Sequence, residues 1–133
     1  MPSLISLPYT QNSAHWFARV RDLGTPVWLD SAWPFSRRGR YDIVSAAPVS
    51  LLTGADIASD PFAAVQELIA LLDATPIESA LPFTGGAIAL FGYEIGRGLH
   101  RLAPRPTQPI FPAVVAGIYS WAIVVDHHNQ RTT

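Results

Sequence analysis

The chain has 133 residues, of which 49% are apolar and only 14% charged, a balance that excludes a disordered polypeptide and requires a folded core. A formal net charge of −1 supplies no basic field, which argues against nucleic acid and against an anionic membrane as partners. There is no cysteine and every positive side chain is arginine, so disulfides, thiolate metal sites, thiol nucleophiles and lysine chemistry are all excluded within these residues.

The length suits one domain. The opening MPSLISLPYTQN lacks a basic stretch followed by a long apolar run, so it is not read as a signal peptide. No segment approaches the roughly 20 apolar residues that cross a bilayer, and the cytoplasm is the expected compartment. Residues 4–7 read as a short edge strand closed by Pro8. Asn12 or Ser13 is placed to cap a helix with Trp16, Phe17 and Val20 on one face, ended by Gly24 and Pro26. Residues 27–31 have strand character and enter a polar bend, and 33–39 form a loop by proline, glycine and charge. Two strands follow at 40–46 and 49–53, separated by Pro48, which has no N–H to give a ladder.

Asp60-Pro61 is a helix start, an N-cap carboxylate followed by proline at the first helical position. Phe62, Val65, Leu68, Ile69 and Leu72 then recur at helical spacing through to Asp73. Residues 87–91 read as a strand within a glycine-rich apolar run, and 98–111 as a proline-rich connection. Residues 114–126 read as one long buried strand that breaks at Asp-His-His-Asn with no second half of a hairpin after it. A strand of that length needs a neighbour, so truncation is expected, along with self-association through its exposed edge.

Candidate chemistry is sparse. No G-x-S-x-G elbow surrounds Ser31 or Ser36, and adjacent His127 and His128 would point to opposite faces of a strand, so they are not a chelating pair. Asp126 with His127 is better explained as a solvated turn than as a metal site. Asp60 is explained as a cap, and glycines 85, 86, 92, 96 and 98 match no phosphate-binding pattern; close backbone approach in a sheet explains them. Two stretches resemble site material. One is Ser31 with Arg38, Gly39, Arg40 and Tyr41, where Ser31 offers a hydroxyl, Arg40 a carboxylate clamp and Tyr41 a ring to stack on; the plain alternative is a hairpin with solvated arginines. The other is Phe91-Gly92-Tyr93-Glu94, where a buried tyrosine at a strand end is expected, most simply as core packing.

Four ordered blocks, WLDSA at 28–32, GRYDIVSAAP at 39–48, LPFTGGAIALFGYEIGR at 81–97 and AGIYSWAIVVDH at 116–127, resemble the N-terminal region of the anthranilate synthase/aminodeoxychorismate synthase component I family. The helix at 60–73 lies where that family has its counterpart. LDS at 29–31 and the FGYEIGR block tilt the resemblance towards the aminodeoxychorismate branch, with the anthranilate branch and a stand-alone amino-acid-binding module as alternatives. The resemblance implies an α+β fold of antiparallel β-sheets with a few flanking helices, forming over 1–133 the N-terminal part of that fold without its C-terminal chorismate-binding catalytic domain. It implies a full-length enzyme that converts chorismate and ammonia to 4-amino-4-deoxychorismate for para-aminobenzoate and folate, with Mg²⁺ and a glutamine amidotransferase component II. This chain would carry no catalytic residue, no metal and no cofactor, in keeping with the missing lysine. By the same resemblance Ser31, Arg38, Gly39, Arg40 and Tyr41 would build half of an L-tryptophan pocket.

Overall fold

The computed structural model of the chain describes residues 3–54, 60–72, 80–103 and 111–133. In chain order its elements are α1 (Ala14–Val20), β1 (Val27–Leu29), β2 (Tyr41–Ser45), β3 (Ser50–Thr53), α2 (Pro61–Ala70), β4 (Gly86–Phe91), α3 (Ile95–Leu99), β5 (Val114–Tyr119), β6 (Ile123–Asp126) and β7 (Arg131–Thr132). The architecture is α+β, with two antiparallel sheets and few helices. It divides into two compact units, residues 1–48, 75–85 and 119–133 in the first and 49–74 and 86–118 in the second.

The first unit holds a four-stranded sheet in the order β1-β2-β6-β7. Tyr41 lies opposite Asp126 and Asp42 opposite Val125 across β2 and β6, and Asp126 lies opposite Arg131 across β6 and β7. Directly opposed residues share a face. One face therefore carries Asp42, Val44 and Val125, and the other Tyr41, Asp126 and Arg131. Helix α1 covers the former, where Trp16, Val20, Val44, Ala46 and Val125 make one buried cluster with Tyr9 and Trp121 packed against it. Ser13 stands at the N-cap of α1 yet makes no cap hydrogen bond. Asn12 serves instead, its Oδ1 accepting from the Ala14 N–H at 3.1 Å, which leaves the Ser13 hydroxyl for another partner.

The second unit holds β3, β5 and β4 in that order. The N-cap reading of α2 is borne out: the Asp60 carboxylate accepts from the N–H groups of Phe62 and Ala63, with Pro61 at the helix start. Val65 and Leu68 pack on Val114, Ala116 and Ile118 of β5, and Phe62 stacks on Phe91 with centroids 5.0 Å apart. Ile69, one position round from Leu68, is left exposed. Asp73 and residues 104–110 of the proline-rich connection lie outside the described residues, and α3 occupies the start of that connection.

Three expectations are corrected. Residues 4–7 form no strand; only Leu7 bridges to Thr132, while Leu4 and Ile5 are exposed. Tyr93 is 93% exposed, not a buried tyrosine, because β4 has already ended at Phe91. The 114–126 segment is two strands, β5 and β6, parted at Ser120–Ala122, and β6 does continue into a short hairpin with β7. The apolar run hid the break because its backbone there bonds elsewhere: the Trp121 carbonyl accepts from Ser45 Oγ at 2.8 Å. Since β5 lies between β3 and β4 and β6 between β2 and β7, neither presents a free edge, and self-association through this segment loses its basis.

Candidate functional site

A buried polar hub of the first unit centres on Asp42, the second residue of β2 and only 3% exposed. Its Oδ1 accepts from the Ser31 N–H at 2.8 Å and the Ser31 hydroxyl at 2.7 Å. Its Oδ2 accepts from Ser13 Oγ at 2.6 Å and lies 2.9 Å from His127 Nε2. Burial pushes the Asp42 carboxyl up, but the hydrogen bonds from Ser13, His127 and Ser31 outweigh it and hold the group below the usual carboxylate range. An ionised Asp42 can only accept, so Nε2 carries a hydrogen, and in the neutral ring Nδ1 accepts from the Tyr9 hydroxyl at 3.2 Å. Trp33 lies flat on His127, rings 5.8 Å apart and 9° from parallel, while Trp28 Nε1 donates to Ser13 Oγ at 2.9 Å.

Serine, histidine and aspartate thus meet here, but in the wrong relation for nucleophilic catalysis. A triad needs serine on histidine and histidine on aspartate. Here both hydroxyls and the imidazole spend their hydrogens on one carboxylate, so no base faces a nucleophile. An Asp held below its ordinary range is also a weak proton acceptor. The hub ties the start of α1, the exit of β1, the start of β2 and the end of β6 together.

The candidate set from the sequence divides around it. Ser31 belongs to the hub. Gly39 is packed against Ser31 so closely that a Cβ would sit 2.6 Å from the Ser31 carbonyl oxygen, which explains a glycine there. Arg40 and Tyr41 come together on the opposite face: the guanidinium lies 4.5 Å from the Tyr41 ring centroid and forks onto Asp126 through Nε at 3.2 Å and Nη2 at 3.0 Å. Burial pushes Asp126 up, but hydrogen bonds from Arg40 and Asn129 with the Arg40 charge hold it at about 2. Arg38 is exposed. The structure thus joins Ser31 to Gly39 and Arg40 to Tyr41, and leaves Arg38 apart from both pairs.

His127 is a correction. The segment read as a solvated turn places it 3% exposed at the centre of the hub. Asp42 is a functional residue that no motif marks, although a charge inside a largely apolar strand is a signal in itself, since it faces solvent or is paired.

Among the described residues no group of three His, Asp or Glu side chains is arranged to hold a metal ion, and no helix is long and apolar enough to cross a membrane. Fold and site together define an α+β module knit around a structural carboxylate. No family model matches the chain. It is 33% identical over 99% of its length to aminodeoxychorismate synthase component 1 of Escherichia coli K12, 31% over 99% to that of Klebsiella aerogenes, and 33% over 97% to that of Salmonella typhimurium LT2. Along almost its whole length the chain is thus similar to a part of aminodeoxychorismate synthase component 1. It spans about a third of the length of these curated relatives, 32–33%.

Proposed function

We propose that this chain is the non-catalytic N-terminal domain of a cytoplasmic aminodeoxychorismate synthase component. The protein it belongs to converts chorismate to 4-amino-4-deoxychorismate, using ammonia delivered by a glutamine amidotransferase as component II. The observation that carries this reading is similarity along the whole chain to three proteins of that name. The absence of any lysine supports assigning the chemistry elsewhere. Magnesium, which the family implies, finds no fitting ligand set among the described residues, so no step is assigned to it here.

The test is chorismate consumption by the 133-residue chain with ammonia and Mg²⁺. No turnover is expected, and turnover at a rate above the uncatalysed background would refute the non-catalytic assignment. With the complete protein, a para-aminobenzoate precursor supports the reading, and anthranilate overturns it.

A finer part of the proposal is that Ser31, Arg38, Gly39, Arg40 and Tyr41 contribute half of an L-tryptophan pocket. In support, Arg40 already stacks on Tyr41, and Ser31 is held in one orientation by two hydrogen bonds to Asp42. Calorimetry with L-tryptophan is expected to show saturable binding that Ser31→Ala weakens; binding indifferent to that change removes Ser31 from the pocket.

A further inference from the structure

Among the described residues four strands stand at sheet edges, β1 and β7 in the first unit and β3 and β4 in the second. An open edge pairs with other chains unless it is short, charged or interrupted by proline. β1 has three residues, and β7 has two with Leu7 bridged to it. β3 has four and follows closely on Pro48. β4 has none of these protections. Gly86–Phe91 is six residues long without a charge or a proline, and Ala89, Leu90 and Phe91 are exposed.

The backbone fixes which groups of β4 face outwards. The Gly92 N–H, one residue past the strand, donates to the Ala113 carbonyl beside β5 at 2.7 Å. Alternation along an antiparallel strand then turns Leu90 and Ile88 towards β5 as well, and leaves the N–H and C=O groups of Ala87, Ala89 and Phe91 at the free edge. Side chains alternate too. Ala87 packs on the α2 cluster and Phe91 on Phe62, so Ala87, Ala89 and Phe91 share the α2 face, while Ile88 and Leu90 share the other.

We propose that β4 pairs antiparallel with β4 of a second copy of this chain, about a two-fold axis at Ala89, joining two three-stranded sheets into one of six strands. An isologous contact makes the strand meet itself, and β4 carries no charge to repel its own copy. The outward groups of Ala89 meet those of Ala89 in the second copy, and Phe91 lies beside the small Ala87 rather than another ring. On the other face Ile88 meets Leu90, apolar against apolar. A one-residue slip would set opposed side chains on opposite faces. β4 belongs to the second unit, and Ser31, Arg40 and Tyr41 to the first, so the proposal is independent of the tryptophan reading.

The chain has no cysteine, so Ile88→Cys and Leu90→Cys each carry a unique thiol. In the proposed register the two positions form a non-hydrogen-bonded pair with Cα atoms about 4.5 Å apart, within disulfide reach. Mild oxidation of an equimolar mixture is expected to give the crossed dimer well beyond the two-to-one excess of random pairing. Light scattering of the unaltered chain should show a monomer–dimer equilibrium. Leu90→Lys, at a position 56% exposed, should raise its midpoint concentration by about tenfold or more. Leu71→Lys, on a residue 78% exposed just past α2, should leave it unchanged, and equal Tm values verify that both variants fold. A chain that stays monomeric at every concentration overturns the proposal. So does a dimer indifferent to Leu90→Lys, or either homodimer outweighing the crossed product.

Discussion

Asp42 collects hydrogens from three side chains and one backbone amide, and its removal would leave all of them buried without an acceptor. Each orphaned donor costs about 1–3 kcal/mol, so Asp42→Ala is expected to lose about 3 kcal/mol or more in urea denaturation, well beyond an exposed Asp30→Ala. The acids also set a pH dependence. Asp126 is held at about 2 and Asp42 is lowered as well, whereas an unfolded aspartate titrates near about 3.9. Between those values the unfolded chain takes up protons that the folded chain refuses. The stability these acids provide is therefore complete above about pH 5 and drains away as the pH falls towards 2. Urea midpoints measured from pH 5 to 2.5 should fall, and Arg40→Ala should flatten part of that fall. At this scale the sequence was half legible. Ser31, Gly39, Arg40 and Tyr41 stood out by type, yet their split between two faces depends on β2 register, and the partners of Asp42 lie up to 85 positions away, beyond any local pattern.

Elements with chemical punctuation were the ones read correctly. Asp60-Pro61 satisfies orphan N–H groups whatever surrounds it, so α2 began where expected. Asp60→Ala should cost about 1 kcal/mol, measurable as a lower urea midpoint with an unchanged m-value. The 114–126 run carried no such mark at its interior break, because the residues on both sides are apolar for different sheets. Gly39 shows the reverse case, in which a loop glycine answers to a distant carbonyl. Gly39→Ala must displace the Ser31 backbone, which lies 2.6 Å from the added Cβ. Its expected signature is a lower Tm together with changed amide shifts at Ser31 and Trp33 in a heteronuclear NMR spectrum.

Over the whole molecule, two buried clusters each serve their own unit, one around Val44 and Val125, the other around Leu68 and Val114. Leu68→Ala should cost about 2–3 kcal/mol through the cavity it leaves. Hydrogen exchange should then accelerate in β3 and β5, with the amides of β2 and β6 the less affected. The α+β class was legible through the resemblance that four ordered blocks of the chain carry, and the two antiparallel sheets agree with it. The division into units was not, since each draws on segments far apart in the chain. The reach of the Asp42 hub adds a kinetic consequence. Its contact with His127 closes a loop of 85 residues, an ordering cost met only after much of the chain is in place. The hub should accordingly form after the folding barrier and act as a latch. Weakening it with Asp42→Asn would leave refolding almost as fast and speed unfolding, so that one buried carboxylate governs how long the fold lasts.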